Sequence, residues 1–301
     1  MSNTRYTLAD LQGFQAQQRS FVGVDSDGCV FPTMDAKQKE HFHPLIIQCW
    51  GLEKIEPQLR ASAEFVNLYS KWRGKNRFPN LLLAFELLHD WDEVRATGVR
   101  LPDLTALRAY CNSGLPLGNP TLRAEVARTR DPELQRLLDW SLAVNVDIDQ
   151  HMRPAPPFPW AIRSLEKMQG HSDLIVVSQT PEEALIKEWE HHHIDHLVRL
   201  IAGQELGTKT EHIRCASQNR YPAGQVLMIG DAPGDYVAAQ DNQAAFFPIL
   251  PGHEDQSWQR FHDEAYDLFL QGNYTGSYAD RLIREFQDSL SDTPPWKKYH
   301  A

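Results

Sequence analysis

The feature that most constrains the fold is a change in the spacing of apolar residues along the 301-residue chain. One short apolar run, residues 21–24, comes early and has the character of a buried parallel strand. Apolar residues then recur at helical spacing from about residue 34 to residue 151. After that, strand-like runs alternate with helical ones. Alternation of this kind predicts a parallel sheet with helices on both of its faces.

The first strand and the later strands therefore belong to one α/β domain that a helical segment interrupts. We predict a doubly wound, Rossmann-like core formed by residues 1–33 and 152–301. We predict a separate α-helical domain for residues 34–151, which is long enough to fold as a unit. Four prolines near its end form a stiff connector: Pro154, Pro156, Pro157 and Pro159.

Composition narrows the range of partners and compartments. The net charge of −10 argues against nonspecific nucleic-acid binding, which needs a basic surface. The apolar runs are far shorter than a membrane span, and the N-terminal residues lack the pattern of a secretory signal. The four cysteines are scattered and form no CxxC pair, which is typical of a reduced protein. We expect a cytoplasmic protein without a membrane or nucleic-acid partner.

Polar side chains follow three of the predicted strands at the point where each strand ends. The first strand runs into Asp25 and Asp27, the second into Ser178, and the third into Asp231 and Asp235. In open parallel sheets, ligands bind beyond the carboxyl ends of the strands. We therefore expect these side chains to converge on one crevice.

Four carboxylates in one crevice repel each other unless a cation neutralises them. Hard oxygen ligands suit Mg²⁺, which proteins commonly hold through one or two carboxylates together with a substrate phosphate. A carboxylate can also attack phosphorus and form an aspartyl-phosphate. Ser178 can donate a hydrogen bond and Lys209 can supply a positive charge, both of which phosphoryl transfer needs. The sequence therefore predicts a magnesium-dependent phosphoryl-transfer site.

These motifs resemble those of the haloacid dehalogenase (HAD) superfamily of phosphatases and phosphotransferases. Residues 22–28 are similar to its first motif, an apolar strand followed by DxDG. Ser178 is similar to the second motif, Lys209 to the third, and residues 230–235 to the fourth. The order and spacing agree along nearly the whole chain. The helical insertion after Thr33 corresponds to the family's helical cap, which is expected to close over the site and contribute to specificity.

The resemblance implies roles for the carboxylates. Asp25 would be the nucleophile and a metal ligand. Asp27 would protonate the leaving oxygen and then activate water, while its backbone carbonyl ligates the metal. Asp231 would ligate Mg²⁺ directly, and Asp235 directly or through water.

The resemblance also implies a phosphate-binding set consisting of Ser178, Gln179 and Lys209. The family's lysine is often followed by proline, whereas Thr210 follows it here. Arg214 is therefore an alternative for the phosphate-binding cation.

Two further clusters lie outside these motifs. Histidines 191–193 and His196 end a predicted helix, where they interact favourably with its dipole, so we interpret them as structural. We interpret His41 and His43 in the same way.

In the helical segment, residues 71–78 carry four cations and two aromatic residues. They form either a solvated surface or a substrate-reading loop in which Arg73 and Arg77 bind the substrate.

The favoured hypothesis is an enzyme, a HAD-type phosphatase that acts on a small organic phosphate such as a sugar phosphate. A phosphomutase or phosphotransferase would use the same residues, so the sequence does not separate these activities. The presence of Asp27 argues against a dehalogenase. A catalytically inactive HAD-fold binding protein is the alternative from another class, and it is disfavoured because every motif carboxylate is present.

Overall fold

A computed structural model describes residues 5–297 of the chain. The chain divides into two compact units. The first contains the residues up to Thr33 together with Pro154–Leu290, and the second contains Met34–Arg153 together with the segment that begins at Ser291. No helix in the described part of the chain is long and apolar enough to cross a membrane.

The first unit is built on one five-stranded sheet in which all neighbouring strands are parallel. Its strands are β1 (Ser20–Val24), β2 (Ser172–Val177), β3 (Leu200–Ala202), β4 (Val226–Gly230) and β5 (Ala245–Pro248). Their order is β3-β2-β1-β4-β5, so that β1 lies in the centre although the insertion separates it from the others in sequence. The predicted α/β fold class is confirmed.

The helices of the first unit cover both faces of the sheet. Alternate residues of β1 enter two different hydrophobic clusters: Val22 and Val24 belong to one, and Phe21 belongs to the other. This alternation follows from the two-residue period of a strand. The helices are Leu8–Gln12, Pro159–Met168, Glu182–His191, Lys209–Ser217, Pro233–Asp241, Glu254–Arg260, Tyr266–Leu270 and Gly276–Ser289, with a π-helical turn at Phe261–Ala265.

Gly23 is required in the middle of β1 by the side chains of the neighbouring strands. A Cβ at this position would lie 3.0 Å from Val177 Cγ2 and 3.2 Å from Met228 Sδ. Both neighbours fill the space that a side chain would need, which explains a glycine in a central strand.

The register of the sheet aligns the ends of its central strands. Val24 pairs with Val176 of β2 and with Ile229 of β4. Asp25, Ser178 and Asp231 directly follow β1, β2 and β4, so all three emerge at the same edge of the sheet. This edge is the one at which ligands bind in open parallel sheets.

The second unit is helical and has its own hydrophobic core, formed by residues such as Leu59, Phe85 and Trp140. Asp131 caps the start of its longest helix: the Asp131 carboxylate accepts hydrogen bonds from Glu133 N (2.8 Å) and Leu134 N (3.1 Å). After the short helix Thr33–Ala36 and a π-helical turn at Lys37–Phe42, its helices are His43–Trp50, Glu56–Leu68, Arg77–His89, Asp92–Ala96, Thr105–Cys111, Asn119–Thr129 and Pro132–His151.

The segment 291–297 packs within the helical unit, whereas the sequence pattern predicts that residues 152–301 all belong to the α/β core. The indole of Trp296 stacks on Trp91 with ring centroids 4.2 Å apart and also contacts Phe65 edge-on at 5.9 Å. Ser291 N donates to Tyr69 O at 3.1 Å. These partners lie about 200 residues away in sequence, and a local pattern does not reveal a contact of that range.

We expect Trp296→Ala to destabilise the helical unit by about 1–2 kcal/mol, because it removes a stacked aromatic pair and part of a buried apolar surface. The matched control is Lys297→Ala, which removes an exposed ion pair with Asp90 (3.4 Å) and should change stability by less than about 0.5 kcal/mol. Urea unfolding followed by circular dichroism measures both. Equal effects of the two substitutions would contradict the anchoring role of Trp296.

Candidate active site

Three buried carboxylates meet at the carboxyl edge of the sheet. Asp25 follows β1 and is 5% exposed, while Asp231 follows β4 and is 1% exposed. Asp235 lies in the first turn of the Pro233–Asp241 helix and is fully buried. One carboxylate oxygen of each residue lies within 4.8 Å of the others.

Lys209 bridges two of these carboxylates. Its Nζ lies 2.8 Å from Asp25 Oδ2 and 2.6 Å from Asp235 Oδ1. The lysine begins the Lys209–Ser217 helix, where Thr208 and Glu211 form a reciprocal capping box that fixes the start of the helix.

Burial of this cluster shifts its proton affinities. The pKa of Asp25 is raised to about 6, because the effect of burial and of the nearby charge of Asp235 outweighs that of Lys209, which lowers it. Burial likewise raises the pKa of Asp235. Burial disfavours the charged form of Lys209, but the carboxylates of Asp235 and Asp25 outweigh it and raise the pKa of the lysine. Lys209 is therefore held as an ammonium between two carboxylates that are costly to charge.

The donor set fits a small, hard divalent cation. Three carboxylates, Asp25, Asp231 and Asp235, face a single lysine charge, so their negative charge exceeds the positive charge beside them. Oxygen donors at this spacing suit Mg²⁺ better than a soft metal. Within residues 5–297, this triad is the one group of three or more histidine, cysteine or acidic side chains with ligand atoms so close together.

Asp27 lies two residues after Asp25 in the chain, and its side chain is oriented by two hydroxyl groups. Thr33 Oγ1 donates to Asp27 Oδ1, and Thr180 Oγ1 donates to Asp27 Oδ2. Gly28, with φ of +77°, makes the turn that follows, and its N donates to Phe31 O at 2.8 Å. A positive φ favours glycine, so the DG pair of the motif is needed to form the turn.

The polar residues that follow β2 make hydrogen bonds with each other and with neighbouring loops. Ser178 N donates to Ala202 O at 3.0 Å, and Ser178 Oγ accepts from Thr180 N at 3.1 Å. Gln179 is exposed, and its Nε2 donates to Gly207 O at 2.9 Å. These contacts fix the loop after β2 beside the loop that leads to Lys209.

Of the two cations considered for phosphate binding, the structure brings Lys209 to the carboxylates. Arg214 lies on the same helix but is about half exposed, and its guanidinium is 3.8 Å from the carboxylate of Glu211. Its position gives Arg214 no contact with Asp25 or Asp235. The assignment of Lys209 to the phosphate stays a prediction, and its placement supports it.

Arg73 and Arg77 make structural contacts inside the helical unit. Arg73 is 1% exposed, and its Nη1 donates to Leu68 O at 2.9 Å. Arg77 donates to Ser141 O (3.1 Å) and Asn145 Oδ1 (2.8 Å), and burial lowers its pKa to about 10. Arg77 starts the Arg77–His89 helix and Arg73 precedes it, so the two do not share a helix face. Their role in specificity stays a prediction that these positions do not support.

The histidines interpreted as structural have packing partners. The His192 ring lies 5.4 Å from the Phe31 ring. His41 contacts Asp147 through Nδ1 at 2.7 Å. These contacts agree with a structural interpretation.

Several residues that no sequence motif marks make hydrogen bonds to the turn that follows Asp25. Trp258 Nε1 donates to Cys29 O at 2.8 Å, and Phe158 N donates to Val30 O at 2.9 Å. The hydroxyl of Thr180, which the sequence motifs do not single out, contacts Asp27. No local pattern marks such residues, since their partners are more than 120 residues away in the chain.

Gly230 allows Asp235 to approach the end of β4. A Cβ on Gly230 would lie 2.3 Å from Asp235 Cγ, which no side chain tolerates. The Asp235 carboxylate also accepts a hydrogen bond from Ala232 N at 3.0 Å. The glycine of the GDxxxD motif therefore creates the space that its last aspartate occupies.

The chain is similar in fold to solved proteins of the HAD superfamily and related phosphatases. A candidate phosphoglycolate phosphatase from Lactobacillus delbrueckii subsp. bulgaricus is 14% identical, with a TM-score of 0.46 over 82% of this chain and 92% of that chain. A candidate phosphatase from Clostridium acetobutylicum is 15% identical, with a TM-score of 0.43 over 90% of this chain and 100% of that chain. A candidate β-phosphoglucomutase from Bacteroides vulgatus is 12% identical, with a TM-score of 0.41 over 95% and 96%.

No family model and no curated relative matches the sequence. At the low identities of the structural neighbours, the chemistry of this chain is inferred from its own carboxylates, its lysine and their geometry.

We expect Gly230→Ala to displace Asp235 and to weaken Mg²⁺ binding by about 10-fold or more, as loss of a supporting contact at a metal site typically does. The matched control is Gly234→Ala, because a Cβ at that position meets no atom within 4 Å. Isothermal titration with Mg²⁺ measures both variants. Unchanged affinity in Gly230→Ala would show that the position of Asp235 does not matter for the ion.

Proposed function

We propose that the chain is a Mg²⁺-dependent phosphatase that hydrolyses a small organic phosphate through an aspartyl-phosphate on Asp25. The observation that carries the proposal is the buried group of Asp25, Asp231 and Asp235, with Lys209 bonded to two of its members. This arrangement combines a nucleophilic carboxylate, oxygen ligands for a cation and a fixed positive charge within one small volume.

In the first half-reaction, a carboxylate oxygen of Asp25 attacks phosphorus and the bond from phosphorus to the ester oxygen breaks. The leaving oxygen takes the electron pair of that bond and a proton from Asp27. Lys209 offsets the negative charge of the phosphoryl oxygens, which is the main requirement in phosphoryl transfer. Ser178 and Gln179 follow β2 at the same edge and are the proposed hydrogen-bond donors to those oxygens.

In the second half-reaction, water attacks the phosphorus of the aspartyl-phosphate and Asp27 accepts its proton, so that Asp25 and inorganic phosphate are released. The hydroxyls of Thr33 and Thr180 hold both oxygens of Asp27 and so orient this group for both proton transfers. Bound Mg²⁺ would supply charge neutralisation to the phosphoryl group. Its proposed ligands are the carboxylates of Asp25, Asp231 and Asp235 and the backbone carbonyl of Asp27.

A phosphomutase or phosphotransferase is the related alternative. It would use the same aspartyl-phosphate, but the hydroxyl group of a second molecule would replace water as the acceptor. Release of inorganic phosphate from a panel of sugar phosphates and other small phosphate esters separates the two activities, because a mutase returns an isomer of the substrate and little free phosphate.

We expect Asp25→Asn to reduce phosphatase turnover by about 10³-fold or more, because it removes the nucleophile with little change of shape. Turnover is measured with p-nitrophenyl phosphate and the ester panel, in Mg²⁺ and again with a chelator, which should abolish it reversibly. Asp280→Asn, at an exposed position of the C-terminal helix, is the control and should retain full activity. Near-normal activity in Asp25→Asn would refute the assignment.

The two proposed roles of Asp27 make a separate prediction. Asp27→Asn should still form some aspartyl-phosphate from an aryl phosphate, whose leaving group needs no proton, but should hydrolyse it at least about 10²-fold more slowly, since the general base is missing. Acid quenching followed by mass spectrometry should therefore find Asp25 carrying a phosphoryl group in this variant. If phosphate appears on no residue while turnover continues, the covalent route is wrong.

A further inference from the structure

A tryptophan on a neighbouring helix contacts the residue between the two catalytic aspartates. Trp189 lies in the Glu182–His191 helix, and its Nε1–H donates to Ser26 Oγ at 3.0 Å. Both residues are completely buried. An indole N–H can only donate, and leaving it unpaired in the interior would be costly, so this contact is a strong constraint on the serine.

Ser26 in turn contacts the carboxylate of Asp25. Ser26 N donates to Asp25 Oδ1 at 2.8 Å, while Lys209 contacts Asp25 Oδ2 at 2.8 Å. The orientation of the carboxylate therefore depends on two donors, the lysine at one oxygen and the backbone of Ser26 at the other. The backbone of Ser26 has its own anchor in the hydrogen bond from Trp189 to its side chain.

The ring of Trp189 is itself fixed in place. It packs edge-on against Phe31, with ring centroids 5.8 Å apart and an interplanar angle of 80°. Phe31 accepts the hydrogen bond from Gly28 N that closes the catalytic turn. Trp189 thus contacts the turn at its start, through Ser26, and at its end, through Phe31.

We propose that Trp189 is a positioning residue for the nucleophile: through Ser26 it fixes the direction in which the Asp25 carboxylate faces the substrate. The proposal rests on the proposed function, because it needs Asp25 to be the nucleophile. A nucleophile must meet phosphorus in line with the leaving oxygen, and a misplacement of about 1 Å can cost about 10²-fold in rate. Loss of the Trp189 hydrogen bond should therefore lower the rate of the chemical step more than substrate affinity.

The first test is Trp189→Phe, which keeps an aromatic ring against Phe31 but removes the N–H donor. We expect kcat to fall by about 10-fold while KM changes by less than about twofold. Trp160→Phe is the matched control, since the Trp160 ring packs on Arg163 (4.5 Å) and His262 (5.2 Å) and its side chain makes no hydrogen bond or ring contact with residues 25–31. This control should retain the kcat of the unmodified protein.

The second test is a double-mutant cycle with Ser26→Ala, which removes the acceptor. If Trp189 acts through Ser26, the double variant should lose no more activity than the worse of the two single variants. Losses in kcat that multiply would show that Trp189 acts by another route, and this result would overturn the proposal. A normal kcat in Trp189→Phe would do the same.

Amide hydrogen exchange provides a readout that does not depend on activity. In Trp189→Phe, exchange of the Ser26 amide should become at least about 10-fold faster, because its hydrogen bond to Asp25 Oδ1 is no longer held in place. The Asp25 amide, which donates to Ile229 O at 2.9 Å, reports on the sheet and should be unchanged. Unchanged exchange at Ser26 would contradict the proposal even if kcat fell.

The proposed phosphatase function and the positioning role of Trp189 can be refuted separately. If the unmodified protein shows no Mg²⁺-dependent phosphatase activity that Asp25→Asn abolishes, the proposed function is wrong and with it the catalytic consequence of Trp189. If that activity is present but Trp189→Phe leaves either kcat or Ser26 exchange unchanged, the proposed function stands and the positioning role is wrong.

Discussion

The rest of the site depends on the contact of one buried ammonium with two buried carboxylates. Lys209 lies within 2.8 Å of Asp25 and Asp235, which the sheet and the Pro233–Asp241 helix hold at fixed positions. Burying carboxylates without partners would cost several kcal/mol each, so the lysine makes the cluster compatible with a folded core. One positive charge does not balance three carboxylates, and the remaining negative charge explains why the site should bind a divalent cation and, with it, a phosphate group.

The charge of the chain is distributed unequally along the sequence. Residues 34–153 contain sixteen basic and sixteen acidic residues, so the net charge of −10 lies entirely in the rest of the chain. An anionic substrate that approaches the α/β unit is therefore repelled by its overall charge and depends on local cations for binding. Lys209 and a bound metal would meet this requirement, since a bound ion can reverse the field within a site.

The sequence predicted those features that depend on local patterns. Apolar runs that end in Asp25, Ser178 and Asp231 identified three strands of the sheet and the edge at which they end, because a buried parallel strand has a distinct composition and the register aligns the strand ends. Contacts between distant residues were not predictable in this way. The indole of Trp189 on Ser26 and that of Trp296 on Trp91 join residues more than 160 positions apart, and nothing in the local sequence marks either pair.

The most direct test of the account is a crystal structure of the protein with Mn²⁺ in place of Mg²⁺, with data recorded at the manganese absorption edge. The account predicts one strong anomalous peak about 2.0–2.3 Å from carboxylate oxygens of Asp25 and Asp231, with Asp235 close by and Lys209 still in contact with the cluster. An ion bound elsewhere, or a carboxylate cluster that stays free of metal at millimolar Mn²⁺, would contradict it.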